Sequence, residues 1–215
     1  MPRRVTGGGR QLPEAGSIAP GDITALILAG GRGSRMGGLD KGLLPFRGTC
    51  LAGAVLDAVR SQVGAVVVSA NRNLDDYARL GAPVVRDSLP GFQGPLAGIL
   101  AGLEQASTPY LLTLPCDGPF FGPDLVARLS AALTAAAAEV AVAHDGERLQ
   151  AAYALVRRDL APDLRSAIEA GERKTQAWYR TRDWIQVDFA DHPEWFLNLN
   201  TPEDYRRSGL EPPLP

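Results

Sequence analysis

The feature that most constrains the fold is a short, almost entirely apolar segment, Ile23–Leu28, which runs directly into a long glycine-rich loop. An apolar run without polar alternation indicates a strand that is buried on both faces, as in a parallel sheet. Three comparable segments follow, each succeeded by a loop and a helical pattern: Ala65–Ser69, Val84–Val85 and Tyr110–Leu114. Four strand–loop–helix units in succession predict an α/β fold with right-handed crossovers.

The remaining pattern predicts the helices and a less regular second half. Helices are expected at Leu51–Val63, Leu74–Leu80, Leu96–Ala106, Asp124–Ala137, Pro162–Ala170 and Pro202–Arg207. Further strands are expected at Val140–His144, Ala151–Val156 and Trp184–Phe189. We therefore expect a Rossmann-like three-layer sandwich, a mostly parallel twisted sheet with helices on both faces, in a single domain over residues 23–208. Residues 1–22 are expected to be a disordered tail, and residues 209–215 a second tail.

Composition limits the classes of function. The 215 residues carry 22 basic and 24 acidic side chains, and this net charge of −2 argues against a broad nucleic-acid-binding surface. No apolar run approaches the roughly 20 residues that span a bilayer. Cys50 and Cys116 form neither a CxxC pair nor a disulfide framework, which is typical of a reducing cytoplasm. We expect a cytoplasmic enzyme with a small anionic substrate, without nucleic-acid or membrane partners.

The loop after the first strand has the chemistry of a phosphate-binding segment. Residues 30–48 contain four basic side chains and one acidic side chain, Asp40, a local net charge of +3; the basic residues are Arg32, Arg35, Lys41 and Arg47. Glycines let backbone N–H groups approach anionic oxygens closely. The segment matches neither the dinucleotide-binding fingerprint nor the P-loop. The alternative is a flexible surface loop with scattered charges.

Two acidic residues follow later strands of the predicted sheet. Asp87 comes after Val84–Val85, and Asp117 follows the fourth strand in the sequence Leu114–Pro119. Ligands of open α/β sheets bind beyond the carboxyl ends of the strands, where both residues are expected. Because Mg²⁺ often takes only one or two protein carboxylates and completes its shell with substrate phosphates, Asp117 is a candidate metal ligand. The alternative for both residues is an ordinary turn or cap.

At these residues the chain resembles a known family. Leu28–Gly31, Ser34–Gly37 and Asp40-Lys41 together look like the signature loop of nucleotidyltransferases that make sugar nucleotides and related conjugates. Later segments, in order and at matching spacing, narrow the resemblance to molybdenum cofactor guanylyltransferases: Asp87–Leu89, Gly94–Gly98, Pro115–Asp117, His144–Arg148, Ala170–Arg173 and Asn198–Glu203. The resemblance covers residues 23–208.

The resemblance implies that GMP is transferred from GTP to the phosphate of molybdenum-bound molybdopterin, with release of pyrophosphate. It implies Mg²⁺ on Asp117, catalytic roles for Arg35, Lys41 and Asp117, and GTP contacts from Leu28, Ala29, Gly30, Lys41, Ser69, Asp87 and Asp117. Ser69 stands where the family often has asparagine, and Asn71 is the alternative for that contact. The second half of the chain is expected to bind the pterin, with candidates Arg173, Lys174, Asn198 and Asn200, which divides the domain into a nucleotide half (23–120) and a pterin half (121–208).

Two other functions stay open at this point. A sister enzyme of the same fold would transfer CMP to molybdopterin, or a nucleotide to another phosphate. A protein of a different class would bind GTP without catalysis, as a partner in cofactor assembly. For the guanylyltransferase interpretation, the partners that the resemblance implies are GTP and molybdenum-molybdopterin, with other cofactor-assembly proteins and acceptor apoenzymes as further candidates.

Overall fold

A computed structural model of the chain describes residues 17–29, 40–89 and 94–209. Within these ranges the strands in chain order are β1 (Ile23–Leu28), β2 (Pro45–Phe46), β3 (Thr49–Cys50), β4 (Ala65–Ser69), β5 (Val84–Val85), β6 (Tyr110–Pro115), β7 (Val140–His144), β8 (Leu149–Arg157) and β9 (Trp184–Asp188). The helices are α1 (Leu51–Val59), α2 (Leu74–Ala78), α3 (Pro95–Gln105), α4 (Leu125–Ala135), α5 (Ala161–Glu169), α6 (Thr175–Tyr179) and α7 (Pro202–Arg207).

In the described part of the chain, seven strands form one sheet in the order β5-β4-β1-β6-β8-β7-β9. Strands β5, β4, β1 and β6 pair in parallel, as predicted, and β9 pairs in parallel with β7. Among these seven described strands only β8 runs against its neighbours, between β6 and β7. The register sets Leu28, the last residue of β1, beside Ser69 on one side and Pro115 on the other. The predicted mostly parallel α/β class is therefore confirmed.

Helices cover both faces of the sheet, which confirms the predicted three layers. Side chains of a strand alternate between faces, and in β1 the residues Ile23, Ala25 and Ile27 pack in one apolar core cluster with α1 and α4. Leu26, between them, belongs to the second cluster with α3, α5 and α6. Both faces of β1 are thus buried, which explains why its sequence lacks polar alternation.

Several predicted boundaries differ from the observed ones. Helix α1 ends at Val59, not at Val63, because the chain turns before β4 and Gly64 packs against the backbone of Gly21. A β-carbon at Gly64 would lie 2.9 Å from the Gly21 carbonyl oxygen. Helix α6 and strands β2 and β3 were not predicted, because elements of two to five residues contain too little periodicity.

Arg47 belongs to the turn between β2 and β3 rather than to the basic loop. Arg47 and Gly48 both have positive φ angles, 45° and 85°, the conformation that a two-residue hairpin turn requires. The Arg47 guanidinium lies over the Phe46 ring, 5.2 Å from its centroid. The Arg47 side chain is therefore engaged within this hairpin.

Part of the predicted N-terminal tail packs on the domain. Ile18 contacts the first core cluster, and Pro20–Asp22 form a 3₁₀ turn. Residues 1–16 and 210–215, which make up most of the two predicted tails, lie outside the described residues. Cys50 and Cys116 are both free thiols. Among the helices of the described ranges, none has the length and apolar character needed to cross a membrane.

Candidate functional site

The carboxyl ends of four parallel strands meet at one edge of the sheet. The Ala29 N–H donates to the Ser69 carbonyl (2.8 Å), and the Ala70 N–H donates to the Val85 carbonyl (3.0 Å). On the other side of β1, the Cys116 N–H donates to the Leu28 carbonyl (3.2 Å). The predicted contacts Leu28, Ala29, Ser69, Asp87 and Asp117 therefore lie at or next to this edge. Gly30 and Arg35 lie outside the described residues.

The structure brings Lys41 to Asp117. The Lys41 ammonium donates to Asp117 Oδ2 at 2.7 Å and also to the side-chain oxygen of Asn200. The side chains of Lys41 and Asp117 are 26% and 13% exposed, so the pair is partly shielded but open to a ligand. Three residues that are far apart in the sequence thus converge after β6. Asn200, which was predicted on the pterin side, lies beside the nucleotide candidates.

The segment before α7 is fixed against the end of β6. The Leu199 N–H donates to the Asp117 carbonyl (2.9 Å), and the Asn200 N–H donates to Asp204 Oδ2 (3.0 Å). Asp204 also accepts from Thr201, while the Thr201 hydroxyl accepts from the Asp204 N–H, a reciprocal cap of α7. This capping motif, visible in the sequence as Thr-Pro-Glu-Asp, holds the Asn200 backbone N–H in place.

Asn198 presents an unused polar atom close to Asp117. Its side-chain oxygen is buried and has no hydrogen-bond partner among the described residues. The neighbouring Gly118 is packed tightly, because a β-carbon there would lie 3.0 Å from Asn198 Oδ1 and even closer to the Tyr153 hydroxyl. The Tyr153 hydroxyl donates to the Gly118 carbonyl (3.2 Å), and burial raises the pKa of Tyr153, so this hydroxyl stays protonated.

Asp87 is held by Asn71. The Asn71 amide donates to Asp87 Oδ2 (2.8 Å), and the Asp87 N–H donates to Asn71 Oδ1 (3.1 Å). Burial raises the pKa of Asp87, and the Asn71 hydrogen bond opposes part of that rise. Ser69 is 1% exposed, and its hydroxyl faces α3, where a β-carbon at Gly98 would lie 2.7 Å from Ser69 Oγ. Asn71 is therefore better placed than Ser69 for a polar contact at this edge.

Arg173 is engaged by the backbone around it. Its guanidinium donates to the carbonyls of Ile168 (2.8 Å) and Glu172 (2.6 Å), close to the end of α5. The Arg173 carbonyl lies near Gly94, where α3 begins: a β-carbon built on Gly94 would be 3.7 Å from it. Within the described residues, no hydrogen bond or ion pair joins Arg173 to Lys41 or Asp117.

An interaction network around Asp40 was not predicted. Asp40 accepts from the Tyr77 hydroxyl (2.6 Å) and the Asn73 amide (2.9 Å), and Arg72 Nε lies 3.3 Å from its second oxygen. Burial, together with the hydrogen bond to Asp40, raises the pKa of Tyr77 well above its usual value, so Tyr77 is a permanent donor. A sequence signal exists only in the adjacency of Asp40 to Lys41, because the partners lie more than 30 residues away.

The donor set around Asp117 fits a metal that is shared with the substrate. In the described ranges, no three or more side chains of His, Cys, Asp or Glu converge into a metal-binding cluster. A metal at Asp117 would therefore take one carboxylate from the protein and further oxygens from water and substrate phosphates, which is the usual arrangement for Mg²⁺. The unpartnered Asn198 oxygen is buried beside Gly118, the residue that follows Asp117.

Comparison with known proteins gives the class first. Residues 25–187 match the family profile described as MobA-like NTP transferase domain. A parallel sheet with a lysine–carboxylate pair beyond its strand ends, together with this match, defines a nucleotidyltransferase.

Curated relatives give the narrower family. A molybdenum cofactor guanylyltransferase from Ralstonia nicotianae is 48% identical over 199 residues, which cover 88% of this chain and 97% of the relative. A protein of the same name from Shewanella baltica is 43% identical and covers 88% and 96% of the two chains. The chain belongs to the molybdenum cofactor guanylyltransferase family.

Solved structures support the fold. The molybdopterin-guanine dinucleotide biosynthesis protein A from Archaeoglobus fulgidus superimposes with a TM-score of 0.71 at 23% identity, covering 86% of this chain and 96% of that one. A nucleotidyl transferase from Methanothermobacter thermautotrophicus gives a TM-score of 0.68 at 24% identity, covering 86% and 95%.

Proposed function

We propose that this protein transfers GMP from GTP to the terminal phosphate of molybdenum-bound molybdopterin and releases pyrophosphate. The observation that carries the proposal is the convergence of Lys41, Asp117 and Asn200 beyond the end of β6. Membership of the guanylyltransferase family supports guanine as the base and molybdopterin as the acceptor.

In the proposed reaction an oxygen of the acceptor phosphate attacks the α-phosphorus of GTP. The new bond joins that oxygen to the α-phosphorus, and the bond from the α-phosphorus to the bridging oxygen of the β-phosphate breaks. The electron pair leaves with pyrophosphate. The acceptor oxygen is already anionic near neutral pH, so the reaction needs no general base, and catalysis consists of positioning two polyanions and neutralising charge.

Lys41 is proposed to neutralise charge on the triphosphate. An ammonium about 4 Å from a phosphate oxygen contributes roughly 4 kcal/mol at an effective dielectric constant of 20. Without a ligand its partners are Asp117 and Asn200, and triphosphate oxygens would compete with them. We also propose GTP contacts from Leu28, Ala29, Gly30, Asp87 and either Ser69 or Asn71, and a catalytic role for Arg35.

Asp117 is the residue proposed to hold Mg²⁺, which when bound would shield the charge of the triphosphate and of departing pyrophosphate. Because the cation would compete with the Lys41 ammonium for this carboxylate, Lys41 would be released toward the triphosphate. The acceptor is proposed to contact Asn198 and Asn200, which the second half of the domain (121–208) supplies to the first (23–120). Arg173 remains a weaker candidate, because the α5 backbone already engages its guanidinium.

The test is pyrophosphate release by the purified full-length protein, with GTP or CTP and with or without molybdenum-loaded molybdopterin. We expect release only with GTP, Mg²⁺ and the pterin together. Faster turnover with CTP would assign the protein to the cytidylyl branch. GTP binding without pyrophosphate release would identify a non-catalytic assembly partner.

A further inference from the structure

We propose that Tyr77 is a positioning residue for Lys41 and acts through Asp40. The proposal rests on the proposed function insofar as Lys41 is taken to contact the triphosphate of GTP. Tyr77 lies on helix α2, outside the strand-end site. The proposal adds it to the residues that determine nucleotide affinity.

The Tyr77 side chain packs directly on the turn that carries Lys41. That turn is a 3₁₀ helix, Lys41–Leu43, and the Leu43 N–H donates to the Asp40 carbonyl (3.1 Å). Tyr77 is fully buried, and a β-carbon on Gly42 would lie 2.4 Å from its hydroxyl oxygen. The turn can therefore approach the tyrosine this closely only because residue 42 is glycine.

The Asp40 carboxylate forms its hydrogen bonds with the segment after β4 and not with its own turn. Asp40 begins the Lys41–Leu43 turn, but its side chain accepts no hydrogen bond there as a cap. Its oxygens instead receive the Tyr77 hydroxyl and the Asn73 amide, with Arg72 alongside, and its side chain is 5% exposed. A carboxylate that only capped the turn would bond the turn amides. This carboxylate ties the turn to another part of the sheet edge.

The same segment also holds the second nucleotide candidate. Asn71, next to Arg72, makes the reciprocal pair of hydrogen bonds with Asp87. Residues 71–77 thus fix the backbone beside Lys41 on one side and the Asp87 carboxylate on the other. Because the lysine stem has four rotatable carbons, the position of its ammonium depends on a fixed backbone at residue 41.

The principal test measures GTP·Mg²⁺ affinity by isothermal titration calorimetry, which needs neither pterin nor turnover. Removing the hydroxyl in Tyr77→Phe should weaken GTP binding about tenfold, the equivalent of one lost hydrogen bond to a charged group. The matched control is Tyr179→Phe, another fully buried tyrosine whose hydroxyl donates to the Ala151 carbonyl (3.3 Å) in the other core cluster. The control should bind GTP with unchanged affinity.

A double-mutant cycle separates positioning from a general structural role. If Tyr77 acts through Lys41, the step from Lys41→Ala to the double variant Lys41→Ala/Tyr77→Phe should leave GTP affinity unchanged, because no ammonium remains to be positioned. An equal loss in the wild-type and Lys41→Ala backgrounds would overturn the proposal, as would full affinity in Tyr77→Phe.

A second variant covers the case in which Tyr77→Phe does not fold. Asn73→Gly removes another donor to Asp40 and suits the left-handed backbone at that position, where φ is 50°. It should weaken GTP binding severalfold in the wild type and not in Lys41→Ala, and equal effects in both would refute the proposal. Failure of the proposed function would look different: the wild type would release no pyrophosphate, while the Tyr77–Lys41 coupling in GTP affinity could still be measured.

Discussion

Two Asp-Gly pairs end strands of this sheet at the same edge, and they are used in opposite ways. Asp145-Gly146 follows β7, and Asp145 accepts from the Glu147 and Arg148 N–H groups and from the Gln150 amide. Asp117-Gly118 follows β6, and its carboxylate is paired with Lys41, 76 residues away. The first carboxylate stabilises its own turn. The second is held by a cation from another element.

This difference indicates which of the two aspartates is available to bind a ligand. Burial alone would raise the pKa of Asp145, but the N–H groups of Arg148 and Glu147 and the Gln150 amide hold it below its usual value. A ligand would have to replace several local hydrogen bonds there. At Asp117 the partner is a side-chain ammonium, which in the proposed mechanism would turn toward a phosphate if a metal took its place. The following predictions test this contrast, from the largest expected effect to the smallest.

The largest effect is expected for Asp117→Ala. Losing the Asp117 carboxylate at the proposed metal position should lower GTP-dependent pyrophosphate release about 100-fold or more. The measurement is the turnover rate across a Mg²⁺ titration, with circular dichroism as the check that the fold persists. Wild-type turnover at the usual Mg²⁺ concentration would contradict the metal assignment.

Lys41→Ala should rank next. The ammonium is proposed to contribute part of the roughly 4 kcal/mol available to a close charge pair, so kcat/KM for GTP should fall about 100-fold. The control is Lys174→Ala, which removes an exposed cation at the start of α6 and should leave KM for GTP unchanged. A normal kcat/KM in Lys41→Ala would remove this residue from the mechanism.

Asp145→Asn should lower the stability of the fold and leave the activity nearly unchanged, the opposite of the two preceding variants. It weakens charge-assisted hydrogen bonds in a turn, so unfolding in urea should show a loss of roughly 1–2 kcal/mol while kcat stays within about twofold. Since the pKa of Asp145 is depressed in the folded state, its stabilisation is present above about pH 4 and is lost as the pH falls through the lowered value. The gap in stability between the variant and the wild type should therefore shrink in acid. A gap that is independent of pH would argue against this role.

The smallest effect on stability is expected for Asp87→Asn. Its pKa is raised by burial in the folded state, so the ionised form opposes folding at neutral pH, and that cost disappears as the pH falls below the raised value. At pH 7 the variant should unfold at an equal or slightly higher temperature, while its GTP affinity falls roughly tenfold. A clear drop in melting temperature would mean that the carboxylate stabilises the fold instead.

The sequence predicts the local units of this fold better than their arrangement. Continuous apolar runs and helical periodicity locate β1, β4, β6 and α3 to within about two residues. The insertion of β8 between β6 and β7, against the direction of both, depends on which edges pair, and no local pattern encodes that choice. The hairpin at Arg47-Gly48 had a signal in its glycine, but its strands of two residues each are too short to stand out.

In the candidate site, too, the sequence predicts the positions of single residues better than the contacts between them. The positions of Lys41 and Asp117 at the sheet edge are predictable from the sequence, because Lys41 ends the loop after one buried strand and Asp117 directly follows another. Their contact with Asn200 and the tie between Asp40 and Tyr77 are tertiary contacts between segments dozens of residues apart. The sequence offers Arg173 as a cation for the pterin phosphate, whereas in the structure its guanidinium donates to a carbonyl near the end of α5.

The most direct test of the central claim follows the phosphorus atoms themselves. The protein would be given molybdenum-loaded molybdopterin, Mg²⁺ and GTP labelled with ³²P at either the α or the γ position. Nucleotidyl transfer predicts that the α label moves into the pterin product and that the γ label appears in pyrophosphate. Recovery of the γ label as inorganic phosphate or on the pterin, with the α label left in GDP, would contradict the account.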